Sequence, residues 1–395
     1  MKPAKHPVTA TGLDTLNQDI PDCLKQGRLG LLANPASVTT DFTHARDILN
    51  RLFPGRLRAL FSPQHGFFAE KQDNMIESVH GQDPVLGIPV FSLYSETRIP
   101  TPEMFDPIDT LVVDIQDVGT RVYTFIYTIS YCMEVAARQG KSVVILDRPN
   151  PISGIQVEGN VLEPETASFV GRFPIPMRHG MTVGEISRYI NQTCRIGCDL
   201  TVVPMKGWKR EMYWQDTGRA WIPPSPNLPT PLSAMVYPGQ VIFEGTNVSE
   251  ARGTTLPFEQ FGAPYVDTRA MQSRLGDTIP GIGLRPVCFE PTSGKWANTV
   301  CRGFHIHVIR PDLYKPYLSS LIFMQDILRA HPDDFQLKAP PYEYEFERLP
   351  MDLILGSTGL RKALASPIDP RELEQTWQAE LDQFIKESTP FYLYE

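Results

Sequence analysis

Five short runs of near-continuous apolar residues constrain this chain more than any other feature. They are "RLGLLAN" (28–34), "LRALFSP" (57–63), "IPVFSLY" (88–94), "TLVVDIQD" (110–117) and "SVVILDRPN" (142–150). A strand that is apolar at nearly every position has both faces covered, as in a parallel sheet, and parallel neighbours need crossovers. The intervening sequence supplies them. "DFTHARDILNRLF" (41–53) is amphipathic, and residues 122–139 read as a helix. "TVGEISRYINQ" (182–192) reads as another, with Thr182 and Glu185 at capping-box spacing, ahead of a further strand, "DLTVVPM" (199–205). The expected class is α/β, with a Rossmann-like parallel sheet covered by helices on both faces.

Of the 37 prolines, several crowd into "WIPPSPNLPTP" (221–231), which reads as extended and helix-free. It predicts a boundary near residue 233, separating an N-terminal domain, 1–233, from a smaller α+β domain, 234–395. In the second part "GFHIHVI" (303–309) alternates like a half-buried strand and "PYLSSLIFMQDILRAH" (316–331) is helical. A chain of 395 residues is long enough for both cores.

With a net charge of −8 and no basic run, the chain is not expected to bind nucleic acid or anionic membrane. No segment reaches 18 consecutive apolar residues, so no membrane span is expected. The start, "MKPAKHPVTATGLDTL", lacks an apolar h-region. As it stands the sequence points to the cytoplasm, or to a periplasmic or secreted location if a signal peptide has been removed. Six scattered cysteines form neither a disulfide framework nor paired zinc spacing.

In an open parallel sheet, ligands bind outside the carboxyl ends of the strands. Polar residues fall at those ends. "DIQDVGTR" supplies Asp114, Gln116, Asp117 and Arg121. The aspartates suit either a site or the cap of the next helix. An arginine in a first helical turn opposes the macrodipole and suits an anion site. "QHGF" and the long connection after it bring His65, Glu70, Asp73 and Glu77, as a site or as a solvated loop. "LDRPNP" places Arg148 and Asn150 at another strand end, and "RHGMT" puts His179 just before a helix. "FEGTNVSEARGTTLPFE" (243–259) carries Glu244, Asn247, Glu250 and Arg252, either the facing wall of a cleft or a loop with an internal Glu–Arg pair.

The nucleotide and hydrolase motifs G-x-G-x-x-G, P-loop, G-x-S-x-G and H-E-x-x-H are all absent. His305 and His307 share a strand face without a third ligand in view. Neither NAD nor a catalytic metal is expected, and no cofactor at all.

In these segments the sequence resembles the NamZ family of exo-β-N-acetylmuramidases. The stretches that carry the resemblance include "LLANPASV", "SPQHGF", "VVDIQDVGTRVYTFIYT", "VILDRPNP", "SFVGRFPIPMRHGMTVGE", "PPSPNLPT", "VYPGQVIFEGTNVSEARGTTLPFE" and "MDLILGSTGLRKAL". They keep their order from about residue 28 to 365. The resemblance implies a Rossmann-like domain, a smaller C-terminal domain and a pocket between them. It also implies release of N-acetylmuramic acid (MurNAc) from the non-reducing end of peptidoglycan fragments, without NAD. A small carbohydrate would then be the partner.

On that footing Glu77 is the expected general acid, and Asp114 or Asp117 the base or oxocarbenium stabiliser, with His65 assisting. Arg121, Arg148 and Arg252 are expected to hold the MurNAc carboxylate and hydroxyls. Gln64, Tyr123, Asn150, His179, Glu244, Asn247 and Glu250 complete the expected pocket. One departure stands out: relatives often carry Glu-His-Gly where this chain has Gln64-His65-Gly66. Glutamine cannot exchange a proton at neutral pH. Either a neighbour such as Glu77 or Glu70 takes over, or the protein binds muropeptides without cleaving them.

Overall fold

The computed structural model describes residues 8–395 apart from 17, 73–75 and 277. Asp73 therefore lies outside the described residues. A seven-stranded sheet organises the first half. Its strands are β1 (Leu29–Ala33), β2 (Leu57–Ser62), β3 (Gly81–Gln82), β4 (Pro89–Ser92), β5 (Thr110–Asp114) and β6 (Ser142–Leu146). After a small hairpin of β7 (Glu158–Val161) and β8 (Pro176–Arg178), β9 (Asp199–Val203) completes the sheet. The order is β3-β4-β2-β1-β5-β6-β9, and only the short edge strand β3 runs antiparallel to its neighbour.

All five predicted runs and the later one at 199–205 are strands, each shorter than its apolar run. β1 and β5 are buried at every position, as a doubly covered strand must be. The predicted helices are Ala45–Leu52, Phe125–Arg138 and Val183–Thr193, the last with a complete Thr182–Glu185 capping box. β3 and the β7–β8 hairpin were not legible, because two- to four-residue strands carry no periodicity.

The second half is built on a three-stranded antiparallel sheet, β10-β12-β11, of β10 (Gln260–Ala263), β11 (Ile282–Phe289) and β12 (Cys301–Val308). Residue 233 falls inside the helix Pro231–Gln240, which packs against Pro316–Ala330. Gly239 permits that contact: a Cβ there would lie 1.9 Å from the Pro316 carbonyl. The chain end returns to the first half, where the Tyr394 hydroxyl donates to Asp147 at 2.6 Å.

The strand order reverses between β1 and β5, where an open α/β sheet usually takes its ligand. Here the protein fills that crevice itself. Asn34 Nδ2 donates to the Gln116 carbonyl at 3.1 Å, and the Ser37 hydroxyl donates to the Asp114 carbonyl. Asp114 and Arg148 form a buried bidentate pair at 2.5 and 2.8 Å. They satisfy one another and so leave the expected base and carboxylate clamp without those roles. Two charges this deep need each other, since an uncompensated one costs several kcal/mol.

Arg121 is a second correction. The helix begins only at Phe125, with Thr124 as its N-cap, so Arg121 is not in its first turn and neither aspartate caps it. The side chain is fully buried and donates to four carbonyls: Asn160 (2.7 Å), Ile175 (3.0 Å), Ile354 (3.2 Å) and Leu355 (2.8 Å). The last two are terminal carbonyls of the helix Pro350–Leu355, orphaned acceptors at the end that favours a cation. Gly356, at φ +67°, leaves room for the guanidinium, which a Cβ would meet at 2.8 Å. Arg121 therefore braces the two halves instead of holding substrate. Arg121→Met should lower stability by about 3 kcal/mol or more, because four buried acceptors lose a charged donor. Urea denaturation checks this, and a loss under about 1 kcal/mol would refute the brace.

Candidate active site

Beside the filled crevice, loops from both halves enclose a chamber of about 40 Å³, room for roughly one water. Its first wall comes from the sheet rim. Gln64 and His65 follow β2 on a turn where His65 has φ +76° and Gly66 +93°, while Tyr123 and Thr124 precede the helix Phe125–Arg138. The facing wall carries Glu244, on the 3-10 turn Val241–Gly245, with Arg252, Tyr342 and Glu343.

Glu343 was not singled out from the sequence. It lies in "PPYEYEFERLP" (340–350), where Tyr342 and Glu345 exchange backbone bonds, each 2.9 Å, across Glu343 and Tyr344. Both central residues have positive φ, 46° and 67°. A two-residue turn of that kind normally takes Asn-Gly, because a side chain in the left-handed region costs roughly 1–2 kcal/mol per residue. This chain places a glutamate and a tyrosine there instead. Strain of that kind clusters at functional sites. The turn is held from outside by Arg98, whose guanidinium lies 3.0 Å from the centre of the Tyr344 ring.

The two carboxyls of the chamber are treated oppositely. Burial lifts the Glu343 pKa from its ordinary value, and the charge of Glu244 adds to that. Hydrogen bonds from the Tyr94 hydroxyl (2.6 Å) and Gln64 Nε2 (3.2 Å) oppose the rise without reversing it. Burial would lift Glu244 too, but Arg252 at 2.7 Å and the Tyr342 hydroxyl at 2.7 Å hold it below its usual value. The surroundings thus push the two pKa values in opposite directions.

Of the predicted site residues, the chamber gathers Gln64, His65, Tyr123, Glu244 and Arg252. Glu250 stands behind Arg252, 3.5 Å from it and 2.5 Å from Lys295, and so serves the clamp instead of the substrate. Glu77 is a correction: its side chain is 49% exposed and 3.9 Å from Arg98, and it does not line the chamber. Glu70 is exposed as well. Asn150 is occupied in its own turn, accepting from Ile152 N (3.1 Å) and donating to the Met181 carbonyl (3.0 Å). Asn247 bonds Asp334, Tyr265 and Gln336 and is likewise structural.

Asp117 and His179 form a separate buried couple, 3.9 Å apart, that does not line the chamber. It is not an ion pair. Burial pushes Asp117 up to about 7, against the amides of Gly119 and Val118, and pulls His179 down to about 3.

With this geometry in view, comparison with known proteins is specific. The family model described as exo-beta-N-acetylmuramidase NamZ, N-terminal, matches residues 29–232, and its C-terminal counterpart matches 235–394. The chain belongs to the NamZ family. It is 40% identical, over 99% of its length and 92% of the relative's, to the peptidoglycan beta-N-acetylmuramidase NamZ of Bacillus subtilis (strain 168). A crystal structure of a DUF1343 family protein from Bacteroides fragilis NCTC 9343 superposes with a TM-score of 0.88 at 34% identity, covering 98% of this chain and 99% of that one. A second such protein from the same organism gives 0.77 at 29% identity, with the same coverage.

The buried Asp117 makes a testable contribution to stability. Its folded pKa lies above its unfolded one, so its neutral form is favoured on folding. That contribution is complete below about pH 4 and is lost as pH rises through about 7. Asp117→Asn, locked neutral, should therefore gain on the wild type as the pH is raised from about 5 to about 8. The gain should be about 1.4 kcal/mol for each pH unit crossed below the folded pKa. Urea denaturation of both proteins across that range checks this, and a stability difference that does not change with pH would refute it.

Proposed function

We propose that this protein is an exo-acting β-N-acetylmuramidase that releases terminal MurNAc from peptidoglycan fragments in cell-wall turnover. The observation that carries the reading is the opposed pair of buried carboxyls on one chamber, Glu343 with its pKa raised and Glu244 with its pKa lowered. Environments that push two carboxyls apart in pKa assign the acid and its ionised partner. Glu343 gives its proton to the glycosidic oxygen as the bond to the anomeric carbon breaks. Glu244 faces the positive charge that develops on that carbon. A water held in the chamber adds to that carbon and returns its proton to the Glu343 carboxylate, restoring the acid, while the sugar ring is read at the chamber's mouth. Arg252 stands there with Nη1 buried and unbonded among the described residues, a donor for the MurNAc carboxylate.

Gln64 fits this scheme as a partner of the acid. Its amide oxygen accepts from the Thr124 hydroxyl at 2.8 Å, which aims the NH₂ at Glu343 and Tyr94. The role expected of a glutamate at position 64 passes to Glu343, not to Glu77 or Glu70. A non-catalytic muropeptide binder is the reading that Gln64 alone would favour. Release of the chromophore from a MurNAc glycoside, beside a binding titration, separates the two.

Glu343→Gln should cut kcat by about 10²–10⁴ while binding persists. In the wild type the rate should fall on the alkaline side, as Glu343 loses its proton. Gln64→Glu adds a carboxyl beside it and should move that alkaline limb to higher pH. An unmoved limb together with an active Glu343→Gln protein would remove Glu343 from the mechanism.

A further inference from the structure

Past Arg252 and Asn227 the chamber gives onto an open hollow of about 1010 Å³. Pockets enclosing a single drug-sized ligand run to about 300–1,000 Å³, so this one has room for more than one sugar ring. Its walls are built in advance. Thr292 bonds the Gly253 carbonyl through both its amide and its hydroxyl, each at 2.9 Å, which joins the loop after Arg252 to the loop after β11. Along β11, Arg285, Val287 and Phe289 alternate onto one face and line the hollow, giving a ring's apolar side something to rest on.

Arg285 is the unusual member. Its Nε donates to His307 Nε2 at 3.1 Å and its Nη2 to His305 Nδ1 at 2.9 Å. Guanidinium nitrogens only donate, so both imidazole nitrogens are acceptors and neither is protonated there. No carboxylate stands within ion-pair distance of Arg285 among the described residues, in contrast to Arg252 with Glu244 and Glu250. Glu259 meets His305 at its other ring nitrogen, 3.7 Å away. Burial, His307 and Arg285 pull His305 down to about 4, so it remains a neutral acceptor. The fork is thus fixed by two uncharged partners and keeps its full charge, the arrangement of an anion clamp.

We infer that the hollow is the leaving-group subsite, holding the GlcNAc to be released and the MurNAc beyond it, and that Arg285 binds that second MurNAc's carboxylate. This rests on the chamber being the place of cleavage. In a strand that alternates the two sugars, the next anion after the terminal MurNAc is two rings along, and a hollow of this size reaches it.

The test compares the disaccharide MurNAc-GlcNAc with the tetrasaccharide MurNAc-GlcNAc-MurNAc-GlcNAc. The wild type should favour the tetrasaccharide in kcat/KM, chiefly through KM. Arg285→Ala should shrink that preference by about 10-fold or more, and Arg285→Lys should restore part of it. Thermal midpoints confirm that the variants are folded. A tetrasaccharide whose internal lactyl carboxyl is reduced to the alcohol should behave in the wild type as the acid does in Arg285→Ala. Turnover of both sugars with no length preference, or a preference that survives Arg285→Ala, overturns the inference. Failure of the cleavage reading looks different: neither sugar is turned over. Calorimetric titration of the tetrasaccharide then decides, and an affinity unchanged in Arg285→Ala overturns the subsite.

Discussion

A guanidinium sealed away from water must find acceptors, and Arg121 finds them in parts of the chain that are remote in sequence. Its carbonyl partners belong to the β7–β8 hairpin region and to the end of the helix Pro350–Leu355. The backbone of Arg121 is held as well, its amide donating to Met177 and its carbonyl accepting from the Tyr127 hydroxyl. Separating these segments would strand a buried charge, at a cost of several kcal/mol. The turn before the helix Phe125–Arg138 is therefore rigid, and it presents Tyr123 and Thr124 to the chamber. Thr124 bonds Gln64, and Gln64 bonds Glu343. A continuous line of contacts runs from the brace to the proposed proton donor.

The strands were legible because burial on two faces writes itself into every residue, as in β1 and β5. The site was legible in part. Gln64, His65, Glu244 and Arg252 stood out as polar groups at strand ends or in a compact polar loop. Arg121, Arg148 and Asp114 stood out for the same reason, and sequence alone could not separate a charge that faces a ligand from one that faces another part of the protein. That distinction depends on partners 34 residues away for Asp114 and as many as 234 away for Arg121. Glu343 was missed because its signal is conformational. The letters "YEYE" carry no apolar period, and a positive φ at a glutamate is invisible until the chain is folded.

The charges around the chamber explain why Glu343 is the carboxyl whose pKa is raised. Three glutamates, 244, 250 and 343, stand near two cations, Arg252 and Lys295. Among the described residues Glu244 and Glu250 pair with the cations directly, while Glu343 accepts from Tyr94 and Gln64 and forms no ion pair. With two positive charges already matched, a third carboxylate in a water-sized cavity would be uncompensated. Burial there favours the neutral form and raises the Glu343 pKa. A glutamate at position 64 would add a fourth acid without adding a cation. The amide avoids that while still orienting its neighbour. On this argument Gln64 belongs with Glu343, since the chain that sets an acid on a strained turn also gives it a hydroxyl and an amide as donors in place of a cation.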